Sequence, residues 1–326
     1  LAIALGSCLW LYLSHKPSVS PVLWSAVKQG SVEDVRHAVD TGAAINASDS
    51  HGLTPLHLAC YLGKQEVVQL LLQKGAKTDA VDNDGATPLG WAALGGNERI
   101  VDLLLQAGAP VNRAGNAEWS PLQMAIEGGS INTARLLLKK GANPGSIDKY
   151  GTSPLLQAVK KGNVEAVQLL LDAGANPLHK TDNGIGFLLL AVRSGNVNLV
   201  KQALSKSNVN DQTQRGETAL FSAASHGNQE IVDLLLLNGA DPNLAFHNGD
   251  APIHAATHNG HLGVLESLVE HHANVNAKDQ SGWTPLDCAV DKNRTDIQQF
   301  LREHGGVETS RREPSHMDPP QGIPWQ

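Results

Sequence analysis

Among the fourteen histidines of this chain, His254, His258 and His261 stand closest to a chemistry. Their spacing is near that of one helical face, where imidazoles can converge on a metal. A zinc site also wants Cys or carboxylate ligands at defined spacing, and these three lack them. His254 and His261 moreover fall at fixed places of a longer pattern, so no metal is expected. Gly-x-Ser-x-Gly, a phosphate-cradling Gly-rich loop ending in Lys-Ser/Thr, and His-Glu-x-x-His are all absent. The expectation is a chain with no catalytic residue and no cofactor, and not an enzyme. Cys8, Cys60 and Cys288 give no disulfide framework, which points to a reducing compartment. Cys60 and Cys288 read as occupants of one small buried slot in two copies of the pattern.

That pattern is Gly52-Leu53-Thr54-Pro55-Leu56-His57-Leu58-Ala59-Cys60. The Thr54 position returns as Thr87, Ser120, Ser153, Gly186, Thr218, Ala251 and Thr284, at steps of 33 residues except for 32 into Thr218. One step back lies a worn copy, Pro21-Val22-Leu23-Trp24. The copies therefore number nine, and repetition at this period signals a stacked architecture.

A single copy explains its own shape. Thr54 caps a helix whose first residue is Pro55, and Leu56, Ala59 and Cys60 form a narrow apolar face. Gly63 turns the chain. Val67, Val68, Leu71 and Leu72 then lie on one stripe of a second helix, which Gly75 ends in the left-handed conformation. The polar run Asp79 to Gly85 is turn chemistry leading to the next cap. Such a unit cannot bury its stripe alone, so neighbours must stack.

Thr-Pro-Leu-His followed by Ala at this period resembles the ankyrin repeat, over residues 18–304. The resemblance implies an all-α solenoid of helix-turn-helix units with projecting loops. It implies that His57 and His254 hydrogen-bond backbone between neighbouring repeats. It also implies a protein–protein interaction module, a scaffold or adaptor, whose loop tips and first-helix ends meet a protein partner. Asn46, Asn112 and Asn276 match the position that can be hydroxylated in the family. In this chain the implied partner-binding slots hold His51, Leu53, Tyr61, Leu62, Leu94, Trp119, Lys149, Tyr150, Lys160 and Trp283. Large aromatics that the scaffold does not require are natural interface anchors, and Trp119 with Tyr150 on adjacent repeats leads that set. The competing reading is that Trp119 and Trp283 pack back onto neighbouring loops.

A net charge of −7 without a basic stripe over the whole chain argues against nucleic acid. The chain is expected to be monomeric and cytoplasmic. Residues 1–13 (LAIALGSCLWLYL) are too short to span a bilayer. With no initial Met, the start is expected to be missing, and residues 1–17 are an apolar leader: the end of a membrane segment, of a signal, or neither. Two further readings follow: a cytosolic arm of a membrane-anchored protein, and the regulatory arm of an enzyme. The sixth repeat, at 184–214, lacks the capping hydroxyl, the Pro and the helix-ending Gly, and is expected to be the weakest link. Residues 305–326 are polar and Pro-rich and are expected to be disordered.

Overall fold

A computed structural model describes residues 20–113 and 119–309. The apolar run 1–13 lies outside the described residues, as does most of the C-terminal tail. Among the described residues the chain forms eighteen helices and no strand, and none is long and apolar enough to cross a membrane. The chain divides into two compact units, Leu1–Ser207 and Asn208–Gln326. The division falls inside the sixth repeat.

Unit one holds six consecutive helix pairs. They are α1 (Pro21–Gln29) with α2 (Val32–Asp40), α3 (Pro55–Tyr61) with α4 (Gln65–Gln73), and α5 (Pro88–Leu94) with α6 (Glu98–Gln106). Next come α7 (Pro121–Glu127) with α8 (Ile131–Lys139), α9 (Pro154–Lys160) with α10 (Val164–Asp172), and α11 (Phe187–Arg193) with α12 (Val197–Leu204). Unit two holds three: α13 (Ala219–His226) with α14 (Gln229–Leu237), α15 (Pro252–Asn259) with α16 (Leu262–Glu270), and α17 (Pro285–Asp291) with α18 (Thr295–Glu303). Within each unit, first helices pack on the first helices of the neighbouring repeats.

The residues that permit this packing recur five positions after each cap. Ala59, Ala92, Ala125, Ala158 and Ala191 in unit one, and Ala223, Ala256 and Ala289 in unit two, are all fully buried. A methyl side chain lets two helices approach where a larger one would hold them apart. Between α5 and α7 the approach is close enough that a Cβ on Gly128 would meet the Leu94 carbonyl oxygen at 2.2 Å. In α4 the buried stripe is Val67, Val68, Leu70 and Leu71, so Leu70 takes the place expected of Leu72. Burying each such side chain contributes about 1.5–3 kcal/mol.

Side chains also tie repeat to repeat. Asn46 Nδ2 donates to the Gly75 carbonyl at 3.3 Å while its Oδ1 accepts from the Lys77 amide at 2.9 Å. Asn112 repeats this clamp on Gly141 and Asn143, at 3.0 and 2.8 Å. In unit two, Asn210, Asn243 and Asn276 form it on all three successive loops. Asp79, Gly145 and Leu178 occupy the same position in unit one and cannot make both bonds.

The sixth repeat forms both helices despite its missing signals. Gly186 makes no side-chain cap, and α12 has eight residues where the other second helices have nine. It ends at Ser205, and Lys206 after it does not take the left-handed conformation of the glycine that follows each other second helix of unit one. At the C-terminus the onset of the tail differs from expectation. Beyond Gly305, the Asn276 side chain accepts from the Val307 amide, and Asp287 accepts from the amide and hydroxyl of Thr309. The chain is thus tied down through Thr309, and residues 310–326 lie outside the described residues.

Candidate partner-binding surface

Each first helix starts from a cap and ends at a position that the scaffold leaves open. Thr87, Ser120, Ser153, Thr218 and Thr284 each accept the amide three residues on, at 3.0–3.3 Å. Three residues after the cap, a polar side chain reaches across to the next repeat. His57 Nδ1 accepts from the Thr54 amide at 3.0 Å, and its Nε2 meets the Ala86 carbonyl at 3.1 Å. An amide can only donate, so Nδ1 is the acceptor and Nε2 carries the proton. Burial drives the His57 pKa down to about 4, against the opposing pull of the carbonyls. His254 makes the same bridge, from the Ala251 amide to the Ala277 and Trp283 carbonyls. Gln123 does so without an imidazole, accepting from the Ser120 amide at 3.1 Å and donating to the Thr152 carbonyl at 3.1 Å.

These bonds account for two of the histidine triplet: His254 bridges repeats, and His261 Nε2 meets the Ser225 carbonyl at 3.2 Å, while His258 is exposed. Among the described residues no three His, Cys, Asp or Glu side chains gather as a metal site would require. Cys60 is fully buried, and burial raises its thiol pKa; the Cys288 thiol is pushed up to about 12, mainly by burial. The two do not share a slot. Cys60 lies six residues after its cap and Cys288 only four, which leaves Cys288 half-buried.

Seven and eight residues after the cap, the requirement for small or apolar groups ends. Unit one places Tyr61, Leu62 and Leu94 there, all half-buried, and then Glu127, Lys160 and Arg193. Tyr61 stands edge-on to Trp91, with ring centroids 5.5 Å apart at 84°. Glu127 is held from two sides, by Lys161 Nζ at 2.7 Å and Gln157 Nε2 at 2.9 Å. Lys160 is exposed, and among the described residues it has no ion-pair partner.

The loop tips carry the second group. Asp148 is buried, and its Oδ1 accepts from the Tyr150 and Thr152 amides at 2.9 and 2.8 Å. Its Oδ2 accepts from the Trp119 indole at 3.3 Å. The tip so fixed presents Tyr150, 57% exposed, and Ile147, 51% exposed, with Lys149 Nζ 5.2 Å from the Tyr150 ring centre. Trp119 itself is half-buried and braces this loop, as the packing reading of that residue has it. His51 is exposed on its own tip, where its carbonyl accepts from the Asn83 amide at 2.8 Å.

Two residues of the expected set stand apart. Leu53 is only 4% exposed and belongs to the core, so it offers nothing to a partner. Its slot precedes the cap, and there the side chain turns inward. Trp283 belongs to unit two; its amide donates to Asp279 Oδ1 at 2.8 Å and its carbonyl accepts from His254. Ile147 and Arg193 were not anticipated. The available signal was a large apolar residue inside a turn, and a cation at a first-helix end.

A family model described as ankyrin repeats (3 copies) matches residues 23–115, 112–181, 173–246 and 234–312. The chain belongs to the ankyrin-repeat family. The helix pairs, the caps and the inter-repeat histidines described above are its ankyrin scaffold. No curated protein matches the chain.

Proposed function

We propose that this ankyrin chain is a non-catalytic, monomeric scaffold or adaptor that binds a protein partner through the first-helix ends and loop tips of unit one. One observation carries the reading. Along the first helices the buried Ala row is constant, whereas the position two residues further on runs Tyr61, Leu94, Glu127, Lys160, Arg193. Packing constrains the first position, and the second is free to hold recognition chemistry. The braced loop with Tyr150 and Ile147 adds rigid apolar area, which limits the ordering entropy of binding. The free thiols of buried Cys60 and half-buried Cys288 support a cytoplasmic setting.

The test is a hydrogen-exchange footprint of the full chain with a partner captured by affinity and identified. Slowed exchange at 61–62, 94 and 147–150 is the expected result. A footprint confined to the second helices α4, α6 and α8 would overturn the assignment.

A further inference from the structure

Repeat nine inverts the bridge that joins other repeats. Three residues after the cap, His57, Gln123 and His254 each donate to a carbonyl of the following repeat. Asp287 holds that place in repeat nine, and a carboxylate can only accept. Its donors come from the strap that follows α18. Thr309 gives its amide to Asp287 Oδ1 at 2.9 Å and its hydroxyl to Oδ2 at 2.7 Å, and Oδ2 also accepts from the Thr284 amide at 2.8 Å. Burial draws the Asp287 pKa up, but the bonds from Thr284 and Thr309 outweigh it and keep it below the usual carboxylate value. The charge is therefore present at neutral pH.

The strap is fastened by polar contacts. Val307, the one large apolar side chain of residues 305–309, is 59% exposed. Its amide meets Asn276 Oδ1 at 2.7 Å and its carbonyl meets the Thr284 hydroxyl at 2.8 Å. Glu308 faces Arg302 at 3.7 Å in an exposed pair, which contributes little. Ser310-Arg311-Arg312 follow in sequence. The chain has three pairs of adjacent cations, Lys139-Lys140, Lys160-Lys161 and Arg311-Arg312, and only the last has a hydroxyl within the three residues before it.

We propose that Thr309 accepts a phosphoryl group from a nucleoside triphosphate, through a protein kinase that reads cations on the C-terminal side of its target, and that this unfastens residues 305–309 from α17. Thr309 Oγ1 attacks the γ-phosphorus and the bond to the β-phosphate oxygen breaks. The hydroxyl proton passes to the kinase's base, and the nucleoside diphosphate leaves. A group of about −1.5 to −2 charge then stands where Asp287 Oδ2 had a proton donor, and like charges repel. Arg311 and Arg312 are two and three residues from Thr309 in either state, so they favour neither. The site belongs to unit two and does not depend on the binding face of unit one.

The full chain is incubated with magnesium, ATP and a purified kinase that accepts Thr-x-Arg, and the phosphate is located by mass spectrometry. It should fall on Thr309. Arg311→Ala with Arg312→Ala should slow its incorporation severalfold. A synthetic peptide of residues 303–315, which lacks the Asp287 fastening, should be modified faster than the full chain. Amide exchange over residues 305–309 should become at least about tenfold faster in the phosphorylated chain, return after phosphatase treatment, and stay unchanged in α9. Phosphate found only on Ser310 or Ser315, or on none of the three, overturns the proposal. Equal rates for peptide and full chain overturn it too, because the fastening would then guard nothing. So does phosphate on Thr309 that leaves exchange of the strap as it was.

Discussion

His57 makes the stability of the second and third repeats depend on pH in a calculable way. Its ring is neutral when folded, because Nδ1 must accept from the Thr54 amide and Nε2 must donate to Ala86. The pKa falls from 6.5 to about 4, so the unfolded chain binds the proton more readily. Stability from this group is therefore fully present above the unfolded value and is lost as pH falls through the window from 6.5 toward 4. A drop of that size corresponds to about 3 kcal/mol in all, of which about 2 kcal/mol is lost between pH 7 and pH 5. His57→Gln is the informative variant, since Gln123 builds the same bridge two repeats along with nothing to titrate. Because repeat arrays need not unfold in one step, amide exchange in α3 is a better readout than a single global melt. Parent and variant are compared at each pH, so that intrinsic exchange rates and other titrating groups cancel. The variant should be close to the parent at pH 7 and gain protection relative to it by about 2 kcal/mol at pH 5. A parent–variant difference unchanged between pH 7 and pH 5 would refute the reasoning, because the bridge would then hold a ring that does not titrate.

Four further substitutions test the packing. Gly128→Ala should cost about 1–3 kcal/mol, seen as a lower melting temperature, since the new Cβ meets the Leu94 backbone oxygen rather than a movable side chain. Asn112→Ala removes two inter-repeat bonds and should cost about 1–2 kcal/mol, whereas Gly145→Asn supplies a missing clamp and should raise the urea midpoint. Trp91→Phe leaves the second oxygen of buried Asp82 without the indole donor that sits 2.8 Å away, and should destabilise by about 1–3 kcal/mol. An unchanged melting temperature in Trp91→Phe would show that water replaces the indole.

Much of the scaffold was legible because each repeat announces its boundaries locally. Thr or Ser before Pro, Leu one residue later, Ala at the buried row and Gly at the helix end each act within a few residues, so sequence distance equals structural distance. The binding surface was legible only in part, for a related reason. Whether Leu53 or Trp119 faces solvent depends on the neighbouring loop, and that loop lies about thirty residues away: the Trp119 indole reaches Asp148 across such a gap. The spacing of the pattern names the slot but not the direction in which its side chain turns. The inter-repeat Asn clamps show both sides of this. Their position repeats with the pattern and could be read as a modification slot, yet their role appears only when Asn112 is seen to hold Gly141 and Asn143. The same comparison explains why unit two is the more uniform body. Its three loops all carry the clamp, whereas Asp79, Gly145 and Leu178 leave three junctions of unit one without it. Stability in such an array is a sum over neighbours, so unit one should open first at those junctions. Gly145→Asn should then slow amide exchange in α9 more than in α3, which a global melt would not reveal.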